Sequence, residues 1–175
     1  MTTSTGFVHS KRTQFIHSAS AILIIGLFVN GNVMIQLEDI SLQTIAYRLH
    51  TFTGLVLVLL TLARIYLRIK SHHPIPDGIE SWNKTLYSAI HWLIYVNILL
   101  IGMSGATTML LNEVNFITID PSNLNRKVPS VEVHEIMGKL IFGLIFLHIA
   151  GVIRYQITKG DVLGRMGISI PFLKK

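Results

Sequence analysis

The stretch HEIMGKLIFGLIFLH, residues 134–148, carries the reading from which the fold follows. Its two histidines, His134 and His148, stand 14 residues apart. In an α-helix that spacing is about 40° short of four full turns and about 21 Å of rise. Both rings therefore share one face, four turns apart. The charge-free run inside this segment, 140–153, is 14 residues long and lies between Lys139 and Arg154. A bilayer core needs about 20 mostly apolar residues of helix. If this helix spans, ionisable groups lie at membrane depth, where they are costly unless partnered and so point to function.

Residues 49–63, bounded by Arg48 and Arg64, repeat the same situation over 15 residues. Two further runs, 18–37 and 85–112, contain no Asp, Glu, Lys or Arg. The pattern predicts an all-α, integral membrane four-helix bundle, one domain over 1–175, with helices over about 14–37, 44–70, 84–111 and 132–157. A soluble bundle with two buried helices would have to hide the two clean spans elsewhere. Composition agrees with lipid: 50% of residues are hydrophobic and 14% charged, against about 25% charged in soluble domains.

The chain has no cysteine, which excludes disulfides, iron–sulfur ligation, thiolate-bound haem and covalent haem attachment. Its net charge of +6 is dispersed between apolar runs rather than along a soluble face, so nucleic acid is not a partner. Lys11 and Arg12 ahead of an apolar run resemble a secretory signal, but Asn30-Gly31-Asn32 is no small-residue cleavage site, and the first helix is expected to stay. Lys11, Arg12, Arg68, Lys70, Lys84, Arg154, Lys159, Arg165, Lys174 and Lys175 fall on one side of the predicted spans. Arg48, Arg126, Lys127 and Lys139 lie toward the other, which also carries Glu38, Asp39, Glu113, Asp120 and Glu132. The basic side is cytoplasmic by the positive-inside rule, so both termini are expected there. Residues 71–81, with Pro74, Pro76 and Gly78, form the predicted turn between the halves, and 112–131 the long outer loop.

That orientation sorts the histidines. His9, His72 and His73 lie at the cytoplasmic surface. His17, His91 and His148 fall in the inner half of the bundle, His50 and His134 in the outer half. A b-type haem between helices takes an axial imidazole from each side, and two stacked haems require one helix with two ligands at separate depths. The helix over 132–157 offers that. A single membrane histidine is often a packed polar residue, and imidazole also suits a zinc carrier, but five histidines in two layers with no buried Asp or Glu fit neither well. Spacing leaves three inner histidines for two axial places.

Arg64 lies 14 residues after His50 on the same face, one layer deeper. It suits an anionic haem propionate, with snorkelling to the interface as the alternative. Lys139 is a weaker candidate, about 140° from the face of His134. Gly54 and Gly138 lie one turn from His50 and His134, where a missing side chain would admit either a flat macrocycle or a close helix. Thr13 or a backbone carbonyl would orient His17. His50, Gly54 and Arg64 recur as His134, Gly138 and His148 after 84 residues, and Ile16-His17 recurs as Ile90-His91. A parallel duplication of a two-helix unit accounts for these echoes, and so does coincidence.

These residues resemble the bacterial cytochrome b561 family and the related cytochrome b subunits of formate dehydrogenase and nickel-iron hydrogenase. The resemblance rests on Ile16-His17, on Arg48-Leu49-His50 continuing to Gly54 and Ala63-Arg64, on His91-Trp92-Leu93-Ile94-Tyr95, and on the pair His134 and His148. It covers about 17–165. Ser18 after His17, where members usually carry Trp, and a longer outer loop depart from the pattern. The resemblance implies two bis-histidine haem b groups, with His17 and His148 holding the inner and His50 and His134 the outer. It leaves His91 beside a propionate or quinone pocket and implies a place in the bacterial inner membrane. It also implies electron transfer between an outer-face donor, superoxide for some members, and ubiquinone in the quinone pool. A subunit anchoring a respiratory dehydrogenase or hydrogenase, fed by a redox partner protein, is the alternative within the same architecture. A non-haem ion transporter is the alternative outside it.

Overall fold

The computed structural model describes residues 8–70, 81–115, 117, 119–158 and 162–167, with backbone alone for 81–84. The predicted turn over 71–81, except its last residue, lies outside these, as do His72, His73, Lys159, Lys174 and Lys175. Every regular element among the described residues is helical: α1 (Lys11–Met34), α2 (Ile40–Lys70), α3 (Ser81–Leu111), α4 (Pro129–Thr158) and the short α5 (Val162–Arg165). The first four are long and apolar enough to cross a membrane. They begin three or four residues ahead of the expected spans because the starting signals sit in polar sequence. The Ser10 hydroxyl accepts from Thr13 N at 3.3 Å, Asp39 accepts from Leu42 N at 2.9 Å, and Pro129 opens α4 with Glu132 in its first turn.

α1 packs along α2, α3 along α4, and α2 against α3. Large apolar side chains cover the outside, with Phe15 and Phe146 each 72% exposed. Such a surface belongs in lipid, since apolar patches of this extent are rare on soluble monomers. The core is a thin apolar layer of Ile24, Leu57, Ile94, Ile98, Ile141 and Leu144, drawn from all four long helices.

Its position is set by a seven-residue register, because seven residues are within about 20° of two helical turns. His17, Ile24 and Gly31 follow one another at that spacing on α1, as do His50, Leu57 and Arg64 on α2. His91, Ile98 and Gly105 do so on α3, and His134, Ile141 and His148 on α4. The apolar layer therefore separates two polar layers, each about 10 Å of helix away.

Polar loop contacts close the outer end. Asn125 N donates to Asn112 Oδ1 at 2.6 Å, and the 3-10 turn Pro121–Asn123 packs against α2. Asp120 caps that turn, accepting from Ser122 N at 3.0 Å and Ser122 Oγ at 2.7 Å. Those two bonds hold its carboxyl below the usual range. At the other end α5 returns to the start of the chain, where His9 N donates to Arg165 O at 3.0 Å.

Candidate cofactor site

In the outer layer the rings of His50 and His134 face each other with centroids 6.0 Å apart. In the inner layer His17 and His148 do so at 6.3 Å. A metal–imidazole nitrogen bond is about 2 Å and the ring centroid lies roughly 1 Å beyond that nitrogen, so two imidazoles on opposite sides of one metal have centroids about 6 Å apart. Both pairs have this separation.

His134 also has a defined proton. Its Nδ1 lies 3.0 Å from the Ile101 carbonyl and 3.2 Å from Ser104 Oγ. A carbonyl only accepts, so Nδ1 carries the hydrogen and the Nε2 lone pair is free for a metal. Ser104 Oγ donates to Ile101 O at 2.9 Å. Thr108 continues the polar seam, donating to Ser104 O at 2.9 Å and meeting Ser130 Oγ on α4 at 2.7 Å. Such interhelical bonds hold the α3–α4 hairpin in register where water is absent.

The inner layer is more crowded. His91 is 6% exposed, and its Nδ1–H donates to the Tyr87 carbonyl at 2.7 Å. Its ring meets that of His148 edge-on at 4.8 Å. The Arg64 guanidinium stacks on Tyr95 at 5.1 Å. Arg68, one turn further, donates to Ser88 Oγ at 3.0 Å and lies 5.7 Å from the Trp92 ring. The acids of α1–α4 are Glu132 and Glu135, both at the outer end of α4. Among the described residues Arg64 therefore has no carboxylate at its own depth in α1–α4, and a half-buried guanidinium within a bilayer is costly without an anion.

Lys139 is exposed and stands apart from both layers. The Thr13 hydroxyl bonds Ser10 Oγ at 3.0 Å in the helix cap. The outer-face cations are not a simple positive patch: Arg126 pairs with Glu135 at 3.7 Å, and Glu132 and Glu135 line the same shallow depression as Arg126 and Lys127.

The glycines divide into two kinds. A Cβ added at Gly54 or Gly138 meets no atom within 4 Å, so neither marks a close helix contact. A Cβ at Gly31 would lie 3.2 Å from His50 Cε1, and one at Gly105 3.4 Å from His134 Cε1 and Nδ1. Gly31, Gly105 and Ser104 are the residues that sequence reading missed. The signal was present, since a 14-residue step from His17 and from His91 lands on the two glycines.

These observations test what the residues fit. Among the described residues no three His, Asp or Glu side chains converge on one point, whereas a bare zinc ion takes four protein ligands. Two opposed imidazoles fit a metal whose other ligands arrive with it, as in a porphyrin. The side-chain-free positions Gly54 and Gly138 beside His50 and His134 suit a flat group.

A membrane-spanning helical bundle with opposed imidazole pairs at two depths has the make-up of a membrane cytochrome b. The sequence profile of the prokaryotic cytochrome b561 family matches residues 8–167, and the chain belongs to that family. The family binds haem b, which makes the chain a multi-pass membrane haem b electron-transfer protein. No characterised relative and no solved structure matches it.

Proposed function

We propose that His17 with His148, and His50 with His134, are the axial pairs of two haem b groups, and that the chain is a transmembrane electron carrier between an outer-face donor and the quinone pool. The observation that carries this reading is the pair of ring separations, 6.3 and 6.0 Å, at two depths served by one helix. Bound haem b supplies a one-electron ferric–ferrous couple. The chain's own residues do the rest. The Ile101 carbonyl and Ser104 orient His134, the apolar layer between the polar ones excludes water, and Arg64 offers the charge that a propionate requires. His91 packs on His148 and braces it without being an axial ligand.

The distribution of Lys and Arg supports both termini in the cytoplasm of a bacterial cell and the His50–His134 layer near the outer face of its inner membrane. Ubiquinone is the proposed acceptor. Superoxide is the donor that the family resemblance suggests, reaching a face where Lys127 lies beside the Arg126–Glu135 pair. The purified protein is expected to contain about two haems per chain with a b-type reduced-minus-oxidised spectrum. Superoxide should reduce it rapidly and a ubiquinone analogue reoxidise it. Absence of the b-type signal would end the cytochrome reading of the site, and haem that superoxide leaves oxidised would remove that donor alone.

A further inference from the structure

Two side-chain atoms near the outer layer are buried without a hydrogen-bond partner: His50 Nδ1 and Asn30 Oδ1. One is a nitrogen whose proton has nowhere to go and the other an amide oxygen that only accepts. Asn30 directly precedes Gly31, whose added Cβ would lie 3.7 Å from His50 Nδ1.

The internal repeat gives this coincidence a meaning. A step of 74 residues carries Leu27 to Ile101, Asn30 to Ser104 and Gly31 to Gly105, and a step of 84 carries His50 to His134. The structure bears the relation out in space: each histidine sets its Cε1–Nδ1 edge against the corresponding glycine, His50 on Gly31 and His134 on Gly105. In the second half Ser104 Oγ lies 3.2 Å from His134 Nδ1, and because its own hydrogen goes to Ile101 O, its oxygen serves as acceptor.

We infer that Asn30 is the counterpart of Ser104, a positioning residue: Asn30 Oδ1 and His50 Nδ1 are not bonded to each other in this structure, and with the outer haem held, Oδ1 would accept the Nδ1–H of His50 and leave the Nε2 lone pair free for the metal. The inference rests on the proposed axial role of His50. Asn30 touches neither iron nor substrate and acts through His50 alone. An accepted Nδ1–H makes an imidazole a stronger electron donor, which favours the ferric state and lowers the potential.

The test compares Asn30→Leu, Asn30→Ser and Ser104→Ala in the detergent-purified holoprotein. Readouts are haem per chain and the midpoint potential of each haem, with the outer one identified from the component that His134→Ala removes. Asn30→Leu is expected to raise the outer potential by about 59 mV, a tenfold change for one electron, and to leave the inner haem unchanged. Ser104→Ala should shift the same haem in the same direction, and Asn30→Ser should restore the native value because serine does this work in the other half. The inner haem reports folding. If Asn30→Leu loses both haems, Asn30→Ala takes its place in the comparison. An unmoved outer potential in the folded variant, or Asn30→Ser behaving as Asn30→Leu, overturns the role of Asn30. Retention of two haems by His50→Ala would instead overturn the axial assignment beneath it.

Discussion

The outer and inner layers are built at equivalent heights of the same four helices, yet they are furnished differently. In the outer layer α2 and α4 supply His50 and His134, and α1 and α3 supply Gly31 and Gly105 behind them. In the inner layer the same four places hold His17, Arg64, His91 and His148. The outer pair thus comes from equivalent helices, α2 and α4, and follows the repeat. The inner pair comes from α1 and α4, because a guanidinium occupies the α2 position equivalent to His148. His91, the twin of His17, is left over and leans on His148 at 4.8 Å. The shared seven-residue register fixes where side chains converge, and the differences between the two layers decide what each place can hold.

The sharpest way to break this comparison is to remove ligands one at a time. His134→Ala should cost the outer haem and His148→Ala the inner one, each taking haem content from about two per chain to about one. His91→Leu should retain both under the proposed pairing, in which His91 braces His148 rather than binding. Haem-to-protein ratio measured on the three purified variants decides it. Loss of a haem from the His91 variant would show that the inner layer also follows the repeat, with the His17 twin as a ligand.

Much of this was legible in the sequence because the relevant physics is periodic. Runs of apolar residues have to match a bilayer, so four spans followed from 18–37, 85–112 and the two shorter runs bounded by charges. The 14-residue spacing of His134 and His148 placed two polar groups on one face without knowledge of any neighbour. What the sequence hid was pairing between helices. Nothing in the segment around residue 31 says that its glycine lies against a ring from α2, and nothing around residue 104 says that its serine meets a histidine from α4. Gly54 and Gly138, read as room for either a flat macrocycle or a close helix, leave open space around an added Cβ, whereas Gly102, with an added Cβ at 2.5 Å from Val58 Cγ2, is a close contact that no motif announced.

A gentler break targets the glycines peculiar to the outer layer. Gly31→Val places a branched side chain where even a Cβ would stand 3.2 Å from His50 Cε1, so the ring must turn from its partner. Overpacking of this kind costs about 1–3 kcal/mol, which predicts outer-haem affinity reduced by roughly tenfold or more while the inner haem stays full. Gly105→Val should act on the same haem through His134. Haem retention during extended washing, followed by spectral component, measures it. Equal loss from both layers would mean that the glycines serve general helix packing and not the outer site.

The smallest expected effect belongs to the side chain that most clearly separates the layers. Arg64 is a cation with no acid at its depth in α1–α4, stacked on Tyr95 at 5.1 Å, so its charge is little screened by salt. A nearby positive charge favours the ferrous state over the ferric, and its removal in Arg64→Gln should lower the inner potential by about 50 mV, close to a tenfold one-electron change. Arg64→Lys keeps the charge but loses the planar two-bond fit to a carboxylate, so its shift should be smaller and in the same direction. Both variants should keep two haems, and the outer potential should stay fixed because the apolar layer of Ile24, Leu57, Ile98 and Ile141 lies between. A redox titration resolving the two components checks this. A shift confined to the outer haem would reverse the assignment of layers, and no shift in either would mean that Arg64 directs its charge away from the stack.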